Sequence, residues 1–328
     1  MTLPPARIRS RNAWSRKTTL TIVMVCLLCI APTRAQEPSR HATPPSLAFI
    51  SDTQAPLVLE TIRLRADNNE VATRVLLRCI AGDSTCMAVF HLGDFVSMGW
   101  SASAWRDFDE KSAPLRNASI PLYPALGNHE YMLWGPVGKA LFEQRFPAYK
   151  NGWYVQRIEG IGVVILNSNF THLADAEQAE QEQWYEDQLR ALDADTSVAV
   201  VVVGCHHSPF TNSTIVDPSE EVQQRLVPPF FRSRKAVLFL SGHAHASEHF
   251  KVGGKDFVVL GGGGGLLHPL LTGGRQRWVD LFSHEGERSV FHYLRIVRDG
   301  NALQAQVITL ANDQTPCTVA CGFTVTKP

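Results

Sequence analysis

Gly127-Asn128-His129-Glu130 is the stretch that decides the predicted fold, because it joins a sharp turn to side chains that bind ligands. It follows an apolar run, residues 120–126, that is typical of a buried β-strand. The glycine lets the backbone turn directly after this strand. Asn128 then offers an amide oxygen and His129 an imidazole at the carboxyl end of a strand, where open α/β sheets bind their ligands. Alone, Gly-Asn-His indicates only a turn.

Four further polar clusters stand in the same kind of position, directly after a predicted buried strand. The strands before them cover residues 47–50, 87–92, 198–204 and 236–240. Carboxyl ends of parallel strands meet at one edge of a sheet, so we expect all five clusters to lie together. In chain order, the four clusters are Asp52-Thr53-Gln54, Gly93-Asp94, His206-His207-Ser208-Pro209 and Gly242-His243-Ala244-His245.

Some of these residues also have a simpler structural interpretation. Asp52 fits an Asx turn or a cap before the segment 56–81, which is predicted to be a helix. His91, inside a strand, is typical of a hydrogen-bonded core histidine. His206 and His207 are harder to explain as core residues, because buried imidazoles need polar partners.

Taken in order, the five clusters resemble the calcineurin-like metallophosphoesterases, a family of two-metal phosphate ester hydrolases. The resemblance covers roughly residues 47–270. It implies a four-layer α/β/β/α sandwich, in which two mixed β-sheets are flanked by helices. The glycine run 261–265 resembles the tight loop that this family places beside its site, and no Lys-Ser/Thr follows it as in a P-loop.

The resemblance also implies a ligand set for two metal ions. The family motif His-x-Pro fits His207-Ser208-Pro209, with His206 as an adjacent rival. Gln54 occupies a place where the family usually has histidine, and Ser97 stands where purple acid phosphatases have a metal-binding tyrosine. One metal would be bound by Asp52, Gln54, Asp94 and His245, and the other by Asp94, Asn128, His207 and His243.

The implied chemistry is hydrolysis of phosphate esters by attack of a metal-bound hydroxide. Mixed nitrogen and oxygen ligands without thiolate suit Mn, Fe, Zn or Co and do not choose among them. His129 would contact the phosphate and either protonate the leaving oxygen or stabilise the charge on it. We therefore expect a phosphomonoesterase or phosphodiesterase that acts on small-molecule esters, while the sequence leaves the substrate and the oligomeric state open.

Two other functions remain open from the sequence. One is a catalytically weak or inactive protein that binds phosphate esters and kept the fold, since Gln54 departs from the family pattern. The other is an exported nuclease, for which Arg232-Ser233-Arg234-Lys235 offers a short basic patch. General nucleic-acid binding is not expected, because the chain after residue 35 carries more acidic than basic side chains.

The amino terminus predicts export. Residues 1–35 carry six basic and no acidic side chains, and an apolar run spans residues 20–31. This run is short for a membrane span and is typical of a signal peptide, with an uncleaved anchor as the alternative. Thr33-Arg34-Ala35 offers a cleavage site. We expect a periplasmic or secreted protein that has no membrane span after cleavage, with a polar linker at 36–46.

The remaining chain is predicted to form one metallophosphoesterase domain, residues 47–312, and a tail, residues 313–328. The segments 289–297 and 302–310 are predicted to form a hairpin around Asp299-Gly300, as outer strands of the second sheet. The tail, with Cys317 and Cys321, is expected to be an appendage. Cys205 is predicted to be a free thiol, and Cys79–Cys86 and Cys317–Cys321 are close enough in sequence to pair.

Overall fold

The computed structural model describes residues 43–62, 64, 69–282, 290–310 and 317–327. The predicted signal peptide and most of the predicted linker lie outside these residues. Within the described part of the chain, no helix is both long enough and apolar enough to cross a bilayer.

The strands are short and largely apolar, and those in the middle of the sheets are largely buried. Their bounds are β1 (Ser46–Ile50), β2 (Cys86–His91), β3 (Leu122–Pro124), β4 (Tyr154–Ile158), β5 (Ile161–Ile165), β6 (Val200–Gly204), β7 (Ala236–Ser241), β8 (Ser247–Val252), β9 (Lys255–Leu260), β10 (His292–Asp299), β11 (Ala302–Thr309) and β12 (Thr318–Val325).

The helices lie between the strands along the chain, as expected for crossovers that connect parallel strands. Their bounds are α1 (Val58–Thr61), α2 (Asn69–Gly82), α3 (Ala102–Lys111), α4 (Ala113–Asn117), α5 (Gly135–Arg145), α6 (Asp175–Ala194), α7 (Glu220–Arg225) and α8 (Val227–Arg232). The single helix predicted over residues 56–81 is therefore wrong, since the described residues form two helices there.

Two six-stranded mixed sheets form the centre of the molecule. The first has the order β12-β11-β10-β1-β2-β3, and the second has the order β4-β5-β6-β7-β9-β8. β1, β2 and β3 run parallel, and so do β5, β6, β7 and β9. Their carboxyl ends therefore gather the loops that carry the predicted site residues.

Alternation along the strands explains the layers. In β1, Leu47 and Phe49 pack between the two sheets with Val202 and Leu238. Ala48 and Ile50 point the other way and pack under α2. On the far side of the second sheet, α6 and α8 cover a separate apolar cluster that includes Tyr185 and Phe230. Successive side chains of a strand face opposite sides, so each buried strand serves two layers. The predicted α/β/β/α sandwich is confirmed.

The carboxyl-terminal strands differ from the prediction. The hairpin at Asp299-Gly300 forms as expected, but β10 pairs with β1 inside the first sheet, so its assignment to the second sheet is wrong. β12 pairs with β11 over residues 318–325 and extends this same sheet. The tail is thus a structural strand rather than an appendage, because its alternate residues cover the end of the inter-sheet core.

The cysteine pairing also differs from the prediction. Cys79 of α2 is bonded to Cys317, which directly precedes β12, so neither predicted short-range pair forms. The other described cysteines, Cys86, Cys205 and Cys321, carry free thiols, which confirms the prediction for Cys205. The bond closes a loop of 238 residues and ties the last strand to the first long helix.

Candidate metal centre

Three of the predicted ligands stand on strained backbone at strand ends. Asp52, Asp94 and His243 have φ angles of 59°, 57° and 64°, in the left-handed region that residues with a Cβ seldom adopt. Each follows its strand by two or three residues, after β1, β2 and β7 respectively. Strained backbone of this kind clusters at functional sites, where the surrounding structure holds it in place.

Asp94 lies at the centre of the site. Its carboxylate belongs to two groups of side chains whose ligand atoms lie within 4.8 Å of one another, one with His206 and His243 and the other with Asp52 and His245. Asp94 is fully buried, and Oδ1 accepts a hydrogen bond from the backbone N–H of His129 at 2.8 Å. One carboxylate is therefore placed to serve two adjacent cation sites.

Glu130, the last residue of the opening motif, positions the two loops that meet at Asp94. Its buried carboxylate accepts hydrogen bonds from the backbone N–H groups of Asp94, Phe95 and Gly127 at 2.8–2.9 Å. Burial and the charge of Asp94 raise the pKa of Glu130 to about 7, against the effect of these donors. The sequence analysis assigned Glu130 no role; its place three residues after a strand-end glycine is the signal that could have suggested one.

His206 lies at the candidate ligand position on the β6 side of the site. Its Nδ1 donates to the Leu92 carbonyl at 2.9 Å, so the lone pair of the neutral ring lies on Nε2. Nε2 is 2.9 Å from Asn128 Oδ1 and 3.2 Å from Asp94 Oδ2. Burial opposes a charge on this ring, but Asp94 outweighs it and raises the pKa of His206 to about 9. The pocket thus favours a positive charge at Nε2.

His207, which the motif His-x-Pro favoured as the ligand, points elsewhere. Its Nδ1 lies 2.9 Å from Ser168 Oγ, and it belongs to neither ligand group. Burial and the neighbouring His206 lower the pKa of His207 to about 3. The geometry therefore favours His206 over His207, because neighbouring side chains at a strand end face opposite directions. His207 still lies at the site, with its ring centroid 4.6 Å from that of His243.

The second cation position is lined by His245, Asp52 and Gln54. His245 Nδ1 donates to the Leu266 carbonyl at 2.8 Å, which leaves Nε2 facing Asp52 Oδ1 at 3.4 Å and Gln54 Nε2 at 3.1 Å. Burial opposes a charge on His245, but the adjacent Asp52 raises its pKa. Asp52 in turn accepts the backbone N–H of His243 at 3.0 Å, which links the two strand ends.

The donor set fits a pair of metal ions. Gln54 Oε1 and Asp94 Oδ2 are both buried and have no hydrogen-bond partner among the described residues. A buried oxygen left in this state is costly unless a cation or another donor meets it. Together with the imidazole lone pairs of His206 and His245, they form a nitrogen and oxygen ligand set of the kind that borderline metals prefer.

His129 lies beside this centre with its ring held in one orientation. Nδ1 donates to the Ser97 carbonyl at 2.7 Å, and Nε2 is 3.8 Å from Asp94 Oδ2. The backbone carbonyl of Ser97 thus fixes the orientation of the imidazole. Nε2 faces the site and can carry a proton there.

His268 is a further site residue that the sequence analysis did not predict. Its ring stacks on His245, with centroids 4.5 Å apart and planes at 22°. Nδ1 accepts the backbone N–H of His245 at 3.2 Å and lies 3.0 Å from Ser213 Oγ. His268 follows the glycine run by three residues, and that position beside a predicted site loop was the available signal.

The glycine run itself packs directly against the site. A Cβ on Gly265 would lie 2.4 Å from Cε1 of the His245 ring, too close for any side chain. The backbone N–H of the same residue donates to the Asp52 carbonyl at 2.8 Å. Because its glycines have no side chains, this loop packs directly against Asp52 and His245. The family resemblance implied a tight loop in this place.

Comparison with known proteins gives a family match. Residues 45–247 match the family model described as calcineurin-like phosphoesterase. A probable purple acid phosphatase 20 from Arabidopsis thaliana is 26% identical over 162 residues, which are 46% of this chain and 36% of the relative. The matched part is thus little more than a third of that relative's length.

Solved structures share the fold. A purple acid phosphatase from yellow lupin (Lupinus luteus) seeds has a TM-score of 0.63 at 17% identity, over 87% of this chain and 54% of that one. A protein described as the anchor in the inner membrane complex of Plasmodium has a TM-score of 0.64 at 12% identity, over 87% and 89%. Because the family model matches well over half of the residues, the chain belongs to the calcineurin-like phosphoesterase family.

Proposed function

We propose that this protein is an exported, metal-dependent hydrolase that cleaves phosphate monoesters or diesters of small molecules. The observation that carries the proposal is the position of Asp94, whose carboxylate belongs to both groups of candidate metal ligands. The fold shared with a phosphatase does not by itself decide the activity, since one fold hosts many functions.

The side chains divide between two cation positions. Asp52, Gln54, Asp94 and His245 would bind one ion, and Asp94, Asn128, His206 and His243 would bind the other. The ions would supply positive charge to the phosphate oxygens and acidify a water molecule. The protein's own part is to fix this geometry: the carbonyls of Leu92 and Leu266 orient the rings of His206 and His245.

His129 supplies the proton for the leaving group. Because Ser97 O can only accept, Nδ1 keeps its hydrogen, and the second proton of an imidazolium resides on Nε2, which faces the site. Transfer of this proton to the departing oxygen leaves a neutral ring whose orientation is unchanged. Proton transfer of this kind typically contributes about 10²–10⁴-fold to the rate.

Nuclease activity receives less support than hydrolysis of small esters. In the basic patch at residues 232–235, Arg232 forms an ion pair with Glu186 at 2.7 Å. Lys235 Nζ donates to the carbonyls of Leu192 and Asp195. These cations are engaged with α6 rather than arranged as a groove for a phosphate backbone.

The proposal is tested by metal analysis and hydrolysis of 4-nitrophenyl phosphate with Asp94→Asn. We expect the wild-type protein to bind two equivalents of metal, to hydrolyse the ester and to lose activity with chelator. Asp94→Asn should lower both metal content and activity, whereas Asp187→Asn on the exposed face of α6 should change neither. Wild-type protein that binds metal but hydrolyses no ester would support the inactive, ester-binding alternative. Export is tested separately, by the amino-terminal residue of the protein recovered from its native cells.

A further inference from the structure

An apolar surface lies beside His129 and has no role in the chemistry described above. Leu133, Trp134 and Val137 are exposed by 73%, 59% and 51%, within five residues of chain. Trp100 contacts Trp134, with ring centroids 4.6 Å apart and planes at 69°. We call these four residues the aromatic rim. Exposed apolar side chains are ordinary when scattered, but a cluster of them marks a binding site.

Backbone contacts place the aromatic rim close to His129. The N–H of Gly99, next to Trp100, donates to the His129 carbonyl at 2.9 Å. The N–H of Met132, next to Leu133, donates to the same carbonyl at 3.3 Å. Since consecutive Cα atoms are about 3.8 Å apart, Trp100 and Leu133 each begin within about 11 Å of the His129 Cα.

The start of α5 packs against the same two loops. A Cβ on Gly138 would lie 2.0 Å from the Glu130 carbonyl oxygen and 3.1 Å from the Gly99 carbonyl carbon. Val137 directly precedes Gly138, and the Trp134 carbonyl accepts the Gly138 N–H at 3.0 Å, so both residues are held at the site rather than carried on a free loop. The close approach to Glu130 leaves no room for a side chain at position 138.

The backbone of the aromatic rim is strained in the way that functional loops are. Leu133 has a φ of 62°, which is rare and unfavourable for a residue with a large side chain. In the same cluster, the Nε1–H of Trp100 is buried and has no hydrogen-bond partner among the described residues. The fold therefore keeps an unfavourable backbone conformation at Leu133 and an unpaired N–H at Trp100, while the Leu133 and Trp134 side chains are exposed to water.

We propose that the aromatic rim binds the leaving group of the substrate, and that this group is an alcohol with a flat, apolar portion. The inference rests on the proposed function: if His129 Nε2 protonates the leaving oxygen, the rest of that alcohol extends toward the loops that flank His129. Indole rings offer a large, rigid apolar surface on which an aromatic or other flat group stacks. A lipid surface and a second copy of this chain are the alternatives that the experiment must separate.

The first test compares two esters whose leaving alcohols have similar acidity, 2-phenylethyl phosphate and ethyl phosphate. Wild-type metal-loaded protein should show a kcat/KM about tenfold higher for the phenylethyl ester, as burial of part of one ring predicts. Trp134→Ala should bring the ratio of the two values close to one. Trp134→Phe should keep most of the preference, and Val319→Ala, an equally exposed apolar residue on β12, should not change the ratio.

A binding measurement keeps the test independent of turnover. 2-Phenylethylphosphonate should bind more tightly than ethylphosphonate by a similar factor in calorimetry and should change the tryptophan fluorescence. Leu133→Gly, which removes the side chain and relieves the strained backbone, should weaken the phenylethyl compound selectively. It also serves as the second variant if Trp134→Ala does not fold.

The outcomes separate this proposal from the proposed function. No hydrolysis of any ester and no phosphonate binding would overturn both. Hydrolysis with the same ester ratio in wild-type and Trp134→Ala proteins would overturn the leaving-group site alone. The aromatic rim could instead bind a lipid surface, measured by sedimentation with phosphatidylcholine vesicles, or a second copy of the chain, measured as a dimer in ultracentrifugation. If Trp134→Ala abolished either association and left the ester ratio unchanged, the leaving-group site would be overturned.

Discussion

Ligand atoms are brought together at the site by residues in an unfavourable, left-handed backbone conformation. These residues are Asp52, Asp94 and His243. In each case a left-handed residue follows a buried strand, so the chain turns at once and the side chain stays at the strand end. A glycine would adopt this backbone without strain, but it has no ligand atom. The need for a ligand atom therefore excludes glycine at these three positions. The packed strands on either side offset the strain of the left-handed backbone.

The choice between His206 and His207 gives a direct test at the residue scale. His206→Ala should lose about one equivalent of metal, because His206 Nε2 lies within 3.2 Å of both Asn128 Oδ1 and Asp94 Oδ2. His207→Ala should keep both equivalents. Metal analysis of the two folded variants measures this difference, and the reverse pattern would return His207 to the ligand set.

Gln54 should make its cation position the weaker of the two. An amide oxygen is neutral and a poorer donor to borderline metals than an imidazole nitrogen, and Gln54 leaves its position with one imidazole ligand where the other position has two. Dialysis against a mild chelator should therefore remove one equivalent first, and Gln54→Glu should slow that removal. If Gln54→Ala retains both equivalents as firmly as the parent protein, Gln54 is not a ligand.

Glu248 on β8 connects one buried carboxyl group to pH-dependent stability. Burial raises its pKa to about 7, against hydrogen bonds from Thr211 Oγ1 and the Asn212 N–H. The unfolded chain loses this proton near pH 4.3 and the folded protein only near pH 7, so stability falls as the pH rises through that window. Glu248→Gln cannot ionise; its amide oxygen can still accept the Asn212 N–H, and its amide nitrogen can donate to Thr211 Oγ1.

We therefore expect Glu248→Gln to be more stable than the parent at pH 8, by about 4 kcal/mol at most, with equal stability near pH 4. Urea unfolding at a series of pH values measures the difference. A constant offset between the two proteins at every pH would show that the substitution acts through packing instead of through the proton.

At the scale of elements, the glycine run 261–265 leaves no room for added volume at any of its five positions. Gly265→Ala places a Cβ 2.4 Å from the His245 ring, so either the loop or the ring must move. We expect a loss of about 1–3 kcal/mol in stability, as for other overpacked sites, together with weaker metal binding. Gly274→Ala is the matched control, because nothing lies within 4 Å of its Cβ. Equal effects of the two variants would argue against the close packing.

The sequence predicted the elements that depend on local pattern and missed those that depend on distant partners. Buried runs such as 200–204 were recognisable because they are apolar on both faces, and the five polar clusters were recognisable by position and by family resemblance. Which of His206 and His207 faces the metals depends on strand twist and register. The place of β10 and β12 depends on pairing with β1 and β11, which no local pattern records.

At the scale of the whole molecule, the bond between Cys79 and Cys317 joins α2 to the start of the last strand. Its loss typically costs a protein about 2–5 kcal/mol. Cys317→Ser should therefore lower the melting temperature, by about 2–4 °C per kcal/mol for a chain of this size, and make it insensitive to reductant. Cys321→Ser keeps the bond and should still respond to reductant. Calorimetry with and without dithiothreitol provides the comparison.

The pairing of β1 with β10 has a consequence for how the polypeptide folds during synthesis. Ser46 stands opposite Val297, so one edge of β1 stays open until about nine-tenths of the chain has left the ribosome. Contacts of such long sequence separation slow folding, because a large loop must close, at an entropic cost, before the strand pairing stabilises the chain. A nascent chain that cannot complete its first sheet early remains extended for longer, with an apolar strand edge that other chains can capture. This arrangement should make recovery of folded protein sensitive to chaperones that shield β1 until the last strands arrive.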